Sequence, residues 1–553
     1  MRKHRYCASF HGVAMLLTAL AVSSPIVAAD MFPDSKPSSG REASRSLTDS
    51  GQALHGCLTT ELRQAEVGAA DVRPMSSNRR GAARWLNRHP ASAPTGATQV
   101  ISGVELRISR PVSIRLDALP ADDRDARLQA IASGVAEPRR TLSDYGFPTI
   151  DVDVLVADLG PTASGYTTRV RNRPVPTIVV SIETPRADLY RATAHQYAHA
   201  VVQSLSEDFS PTWGEAFAVW TTMRALRLER AGEYAALDER LQDMHKSLTS
   251  NDSTHAVGNA AWLTFLESRW GVAAVRTTVE ELARGGDTAA ALERGVRRVS
   301  PSRLRQAYAD FQLWSLFTGE RDDSRHLRGA SRLATPRFTS TASGLPALSI
   351  RRDPGIEPWG GSRILLFEGG GETGGLQIGF EGDFSARWES DLVLTSQAGA
   401  IHRVPLTLRD GRVETTVPLD GLAEAVLLVR RIDADDPTPR GYSYSAHREK
   451  GYPFELAETS VESIDELGLL VQWETTHEHR LIGFNVLRTR ASGGPRVQVN
   501  PVWIPALGAA GRGVGYRFLD TEAEPGVRYE YTIQAVTELG LTSHSGGLSG
   551  TRN

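Results

Sequence analysis

Apolar and polar positions along the 553 residues fall into three successive regimes. The first is short. Arg2, Lys3 and Arg5 precede an apolar run, Val13 to Val22, and the small residues Val27-Ala28-Ala29 follow it before Asp30. This is the layout of a secretory signal over residues 1–29. The run has about half the roughly 20 apolar residues that a bilayer span needs, and no later stretch approaches that length. Met31 to Ser50 has no apolar period, and only a short amphipathic piece, Leu54 to Val67, interrupts the polar character of residues 30–99. That span reads as a flexible or pro-segment.

The second regime, residues 100–330, mixes two periods. Val104 to Leu119 alternates apolar and polar positions (Val104, Leu106, Ile108, then Val112, Ile114, Leu116), which predicts paired strands or a hairpin. Asp125 to Tyr145 places Leu128, Ile131, Ala132, Val135 and Leu142 on one helical face, with a break or kink expected at Pro138. Ile150 to Val156 and Thr177 to Ile182 read as strands. The second leads into a helix with Thr184 as N-cap, Pro185 at the first position and Asp188 in the first turn. From Gly214 to about Glu320 the pattern is helical in several segments: Ala216 to Glu229, Tyr234 to Leu248, Ala260 to Trp270 and Arg303 to Phe317. Residues 100–330 therefore form an α+β domain.

In the third regime the period is two and the turns are glycine-rich. Val404 to Val417 predicts a hairpin, because Asp410-Gly411 between alternating runs suits a tight turn with positive φ. Leu376 to Phe380, Trp388 to Thr395 and Ala425 to Ile432 add strands, giving one β-sandwich over 340–450. A last module, 454–553, contains Leu469-Leu-Val-Gln-Trp473, Gly483 to Arg488 and Pro525 to Val536, with Tyr529, Tyr531, Ile533 and Ala535 on one face. Its early-strand Trp473 and late-strand Tyr529 resemble those of a fibronectin type III domain over about 90 residues.

Composition narrows the classes. Past the signal, 59 Lys and Arg stand against 65 Asp and Glu, and no basic stripe with interleaved aromatics occurs, which argues against a nucleic-acid partner. Cys7 lies in the signal, so only Cys57 remains and no intrachain disulfide is expected. The chain is read as exported, secreted or periplasmic, without a stable membrane span.

The chemistry concentrates in Arg191 to Trp220. His195 and His199 stand four apart, so a helix projects them from one side, beside a core stripe of Ala194, Tyr197, Ala198, Val201 and Leu205. Spacing alone is weak evidence, since roughly 0.35 such pairs arise by accident from 14 histidines in this length. Sixteen residues after His199, Glu215 lies within Trp213-Gly-Glu-Ala-Phe-Ala-Val-Trp220, a carboxylate at the start of an apolar helix. Two nitrogens and one oxygen make a three-ligand set that leaves a fourth zinc position open.

These residues resemble the gluzincin metallopeptidases, which carry H-E-x-x-H on one helix and a ligand glutamate in a W-x-x-E motif on the next. The wider layout resembles secreted bacterial metallopeptidase-like proteins with C-terminal β-sandwich modules. The resemblance implies a zincin-like domain followed by two all-β sandwiches, with zinc on His195, His199 and Glu215. It departs at Gln196, which occupies the general-base position. In the family a glutamate there takes a proton from the attacking water and passes it to the leaving amine, work worth about 10²- to 10⁴-fold. An amide can orient water but cannot accept that proton.

Glu207 or Asp208 could stand in as base, with solvated loop charge the favoured reading, and Tyr190 and Tyr197 are weaker candidates for an oxyanion donor. His477 and His479 read as an exposed turn, and Gly369 to Gly375 as a flexible connection without the Lys-Ser/Thr of a phosphate loop. Three readings follow. One is an impaired, zinc-binding metallopeptidase homologue that binds a peptide, a protein or a cell-surface polymer. The second is an active secreted zinc endopeptidase with another base. The third is an adhesion or scaffold protein acting through its β modules.

Overall fold

The computed structural model describes residues 95–160, 163–168, 175–226, 231–250, 255–341, 345–433, 436–450, 452–464, 467–508, 512–538 and 540–553. The signal, Cys7, Cys57, the amphipathic piece 54–67 and most of the 30–99 segment lie outside them.

A five-stranded sheet opens the described chain. β1 (Thr95–Ile101) and β2 (Val104–Ser109) pair antiparallel through Ser102 and Gly103, both at positive φ, as a two-residue turn of this kind demands. β3 (Asp153–Ala157), β4 (Gly165–Thr168) and β5 (Thr177–Ser181) complete the order β1-β2-β3-β5-β4. The three central strands run parallel and β4 is an antiparallel edge.

Two expectations about this region are corrected. The alternation expected over Val104 to Leu119 ends at Ser109, and α1 (Arg110–Asp117) follows with a proline in its first turn. Val112 and Leu116 are both buried and sit four apart, whereas Ile114 is 67% exposed, so the second half of the pattern is helical. β2 pairs instead with the preceding segment, which begins ahead of residue 100. In the second, the break at Pro138 does not occur: α2 (Ala121–Asp144) runs on through that residue, which is buried within it.

α3 (Arg186–Leu205) follows β5 and α4 (Pro211–Ala225) follows α3. Pro185, not Thr184, occupies the cap of α3, and the Thr184 hydroxyl donates to the Ser164 carbonyl at 3.4 Å. Gly134 in α2 lets α3 approach, because a Cβ there would stand 2.7 Å from the Tyr190 carbonyl. α5 (Ala231–Gln242), α6 (Ala260–Trp270), α7 (Val272–Ala283), α8 (Thr288–Arg297) and α9 (Leu304–Trp314) complete the helical part. One core joins sheet and helices, with Trp213, Trp220 and Trp262 fully buried in it. No helix among the described residues is long and apolar enough to cross a membrane.

The first sandwich contains β6 (Ser340–Thr341), β7 (Ala347–Ile356), β8 (Gly361–Glu368), β9 (Gly375–Gly382), β10 (Trp388–Ser396), β11 (Ile401–Leu406), β12 (Arg412–Pro418), β13 (Leu422–Arg431) and β14 (Arg440–Glu449). One sheet has the order β11-β10-β13-β8-β6 and the other β12-β9-β14-β7. The expected Val404–Val417 hairpin is corrected here. Asp410 and Gly411 do form a turn with φ of 50° and 77°, bridged by Arg409 and Arg412, but β11 and β12 then diverge into opposite sheets. The alternating residues of both strands face the core between the sheets, so alternation alone does not distinguish a hairpin from a corner.

The last module contains β15 (Phe454–Ile464), β16 (Gly468–Glu478), β17 (Leu481–Arg490), β18 (Val497–Gln498), β19 (Ile504–Pro505), β20 (Gly515–Asp520), β21 (Arg528–Thr537) and β22 (Thr542–Thr551). Its sheets, β15-β16-β20 against β18-β17-β21-β22 with β19 also on β17, make a fibronectin type III-like sandwich. Trp473 packs against Phe484 and Tyr516, and Tyr529, Tyr531, Ile533 and Ala535 are buried as one face. The Tyr529 hydroxyl accepts from the Glu524 amide at 3.3 Å, closing a tyrosine corner.

The helical part and the first sandwich share a seam with an apolar centre. Leu316 and Phe317 cluster with Leu365, Val393, Val426 and Leu428. Gln312 donates to the Val429 carbonyl at 3.1 Å, the Gly361 amide to Met244 at 2.7 Å and the Leu248 amide to Trp359 at 3.0 Å. Arg403 reaches Asp310 at 2.7 Å, and Arg321 grips Glu424 with two hydrogen bonds.

Candidate metal centre

Residues 193 to 203 of α3 are buried without exception, so this turn-by-turn stretch has no solvent face. The helix is enclosed by β4, β5, α2 and α4. A polar side chain here must find its partners inside the protein. His195 and His199 find them in each other and in Glu215. The His195 Nε2 atom stands 3.2 Å from His199 Nε2 and 3.1 Å from Glu215 Oε2, and His199 Nε2 stands 3.2 Å from Glu215 Oε1. The two rings meet nearly at right angles with centroids 4.9 Å apart.

Glu215 comes from the second turn of α4, because that helix begins at Pro211 rather than at Ala216. The short Ser206–Ser210 connection folds α4 back on α3 and brings the carboxylate under the histidines. Among the described residues, His195, His199 and Glu215 are the group of three whose donor atoms converge, all within 4.8 Å.

Burial raises the cost of charging Glu215, yet the attraction of His199 and His195 and their hydrogen bonds outweigh it. The carboxyl is held well below the usual carboxylate range. A buried carboxylate facing two imidazole nitrogens requires positive charge at the point they share, from protons or from a cation. The separations of 3.1–3.2 Å fit a metal. A tetrahedral ion with bonds of about 2.0–2.1 Å has ligand-to-ligand edges of about 3.3–3.4 Å. Two nitrogens and an oxygen make a donor set that could hold a metal ion, and the residues present fit one.

Gln196 sits on the neighbouring side of α3, 1% exposed, and meets the edge strand. The Thr167 hydroxyl of β4 lies 2.9 Å from both the side-chain Oε1 and the main-chain carbonyl of Gln196. Gly165 makes room for it, since a Cβ there would stand 2.7 Å from the Val179 carbonyl and 3.3 Å from Gln196 Cγ. Thr167 was not foreseen: it lies 29 residues from Gln196, and nothing in the spacing links the two.

The other candidates fall elsewhere. Glu207 and Asp208 are exposed in the turn between α3 and α4. The Tyr190 hydroxyl donates to Glu137 of α2. The Tyr197 hydroxyl donates to the Ile150 carbonyl at 3.3 Å, and burial pushes its pKa up to about 12. The exposed turn expected for His477 and His479 is corrected: His477 lies inside β16, next to its last residue, His479 just follows the strand, and both are half-buried. The ring of His477 meets Thr476, and that of His479 lies 5.6 Å from Tyr452. Gly369 to Gly374 form the loop between β8 and β9.

No family model matches the chain, and no curated protein matches it. Solved structures overlap it in part. A fibronectin type III-like protein from Clostridium thermocellum is 19% identical over 18% of this chain and 92% of its own, with a TM-score of 0.14. A two-domain fibronectin type III segment of chicken tenascin is 16% identical over 37% of this chain and 97% of its own, at 0.15. A beta-1,2-glucanase from Parabacteroides distasonis is 12% identical over 37% of this chain, at 0.12, and the chain spans 34% of that enzyme. At such scores the character of the last module rests on its own strand order.

Proposed function

We propose that the domain built on α3 and α4 is a zincin-like, metallopeptidase-related module that holds zinc on His195, His199 and Glu215 and is impaired in peptide hydrolysis, within an exported protein that binds peptides. The observation that carries this reading is the buried triangle of donor atoms with 3.1–3.2 Å separations. The passage from β5 into the histidine helix, with the glutamate supplied by the next helix, agrees with the gluzincin resemblance.

When bound, zinc supplies Lewis acidity to whatever occupies its fourth position. The chain's own residues set the limit. Gln196 is held against β4 by Thr167 and can only exchange hydrogen bonds, so no proton leaves a nucleophile through it. Glu215 is engaged by both histidines, and Tyr190 and Tyr197 are engaged elsewhere. The reading therefore assigns the site to holding metal and ligand rather than to fast turnover.

The test compares wild type with Gln196→Glu, both loaded with zinc, on a mixture of unstructured peptides followed by mass spectrometry. The reading expects cleavage to rise in the variant. Wild-type cleavage already as fast as the variant's would favour an active endopeptidase with another base.

A further inference from the structure

The seam between the helical part and the first sandwich contains buried donors without acceptors. Arg240 of α5 is 1% exposed. Its Nη1 donates to the Lys246 carbonyl at 2.7 Å, while Nε and Nη2 are buried and make no well-aligned hydrogen bond among the described residues. The hydroxyl of Tyr308 in α9 and the indole Nε1 of Trp359, ahead of β8, share that condition. The three side chains are neighbours. The Tyr308 and Trp359 rings meet edge to face at 6.2 Å, and the Tyr308 hydroxyl oxygen stands within loose hydrogen-bonding reach of Arg240, which leaves the hydroxyl proton still to be given.

Charge is unmatched in the same place. Four arginines are buried along this seam, and two are balanced: Arg430 by Asp391 and Glu389, Arg431 by Asp433. Arg363 donates to the carbonyls of Ser315 and Leu241, and neither it nor Arg240 has a carboxylate at ion-pair distance among the described residues. The carboxylates whose charge reaches Arg240 are Glu357 and Asp243, and Glu357 is already held by Lys246 and the Ser247 amide. Burial lowers the pKa of Arg240 and brings that of Arg363 down to about 10. A buried donor left unmade costs about 1–3 kcal/mol, and a buried unpaired cation costs more.

We propose that a single small monovalent anion of the halide class occupies this place, accepting hydrogen bonds from Arg240 Nε and Nη2 and from the Tyr308 hydroxyl. Water would satisfy the donors but leave both guanidinium charges uncompensated. A doubly charged oxyanion would match that charge but lack donors for most of its oxygens. The place is sealed, with Arg240, Tyr308, Trp359 and Arg363 all less than a tenth exposed and Trp262 and Phe311 close by, so the carboxylate of a larger molecule has no path for its remainder. The anion then acts as a structural cofactor that fastens α5 to α9 beside the sandwich.

The experiment measures thermal unfolding of the full chain in sodium chloride, sodium bromide and sodium gluconate at equal ionic strength. Chloride and bromide should raise the midpoint by about 3 °C over gluconate, the effect of a site filled to about 100 times its dissociation constant in a unit this large. Tyr308→Phe should cut that difference by at least half, and Arg240→Met should remove it. Crystals grown in bromide should give an anomalous peak between Arg240 and Tyr308. Equal midpoints in the three salts, a halide effect undiminished in Tyr308→Phe, or a peak with no anomalous signal, meaning water only, would each overturn the proposal. Should Arg240→Met fail to fold, the phenylalanine variant and the bromide peak still decide.

Discussion

Replacing Asp391 by asparagine tests whether the helical part and the first sandwich stand as one unit. The Asp391 side chain is 1% exposed and accepts from Arg430 Nη1 at 2.5 Å and Arg403 Nη2 at 3.1 Å. Arg403 continues across the seam to Asp310 of α9 at 2.7 Å. Asparagine keeps the shape and one acceptor but removes the charge that two guanidinium groups share. Removing one partner of a buried ion pair costs about 3–5 kcal/mol. Here Glu389 still holds Arg430 at 2.9 Å, Asp310 still holds Arg403, and Arg403 is 26% exposed, so screening trims the loss to about 2–3 kcal/mol. With a urea slope of about 2–3 kcal/mol per molar, the midpoint should fall by about 1 M. Helical circular dichroism reports α1 to α9, and hydrogen exchange of the β10 and β13 amides across the urea series reports the sandwich. Both transitions should move together. A loss below about 0.5 kcal/mol, or a helical transition that stays put while the sandwich moves, would refute the reasoning.

Three further outcomes are expected. Gln196→Glu in the zinc-loaded protein should raise peptide cleavage by about 10²-fold or more, the range a positioned general base supplies, as read by the rate of product formation. Asp238 is the pH-sensitive group: burial raises its pKa to about 6, and the Ala334 amide opposes this only in part. A carboxyl with a raised folded pKa contributes stability fully present below its unfolded value of about 3.9 and lost as pH rises through about 6. Urea midpoints should therefore carry a falling component between pH 4 and 6 that disappears in Asp238→Asn. Tyr531→Phe should destabilise the last module by about 1–2 kcal/mol, because it strips a 2.7 Å hydrogen bond from buried Asp520 while Arg488 remains; calorimetry should show only that module's transition moving.

Much of this was legible before the structure, and the failures share a cause. The histidine helix, Glu215 and the Trp473–Tyr529 pattern were readable because each depends on spacing within one element or between adjacent ones. Ala260–Trp270 was placed to the residue, since Gly271 at φ 80° ends it. Val104 to Leu119 was misread because Val112 and Leu116 satisfy a period of two and a period of four equally well, and only the proline in the first turn favours a helix. Asp410-Gly411 gave the right turn and the wrong pairing, because β11 is taken by the hairpin it makes with β10 just before it, and β12 by β9, a strand distant in sequence. Thr167 and the Arg240–Tyr308 cluster are tertiary juxtapositions over 29 and 68 residues, which no local pattern encodes.

The most direct test of the central claim is the metal content of the purified chain by elemental analysis, beside a His195→Ala/His199→Ala control. About one zinc per chain, lost in the control, is the predicted result. No metal in either protein, even after zinc is supplied, would contradict it and leave the His195–His199–Glu215 triad as a proton-bridged cluster of the core.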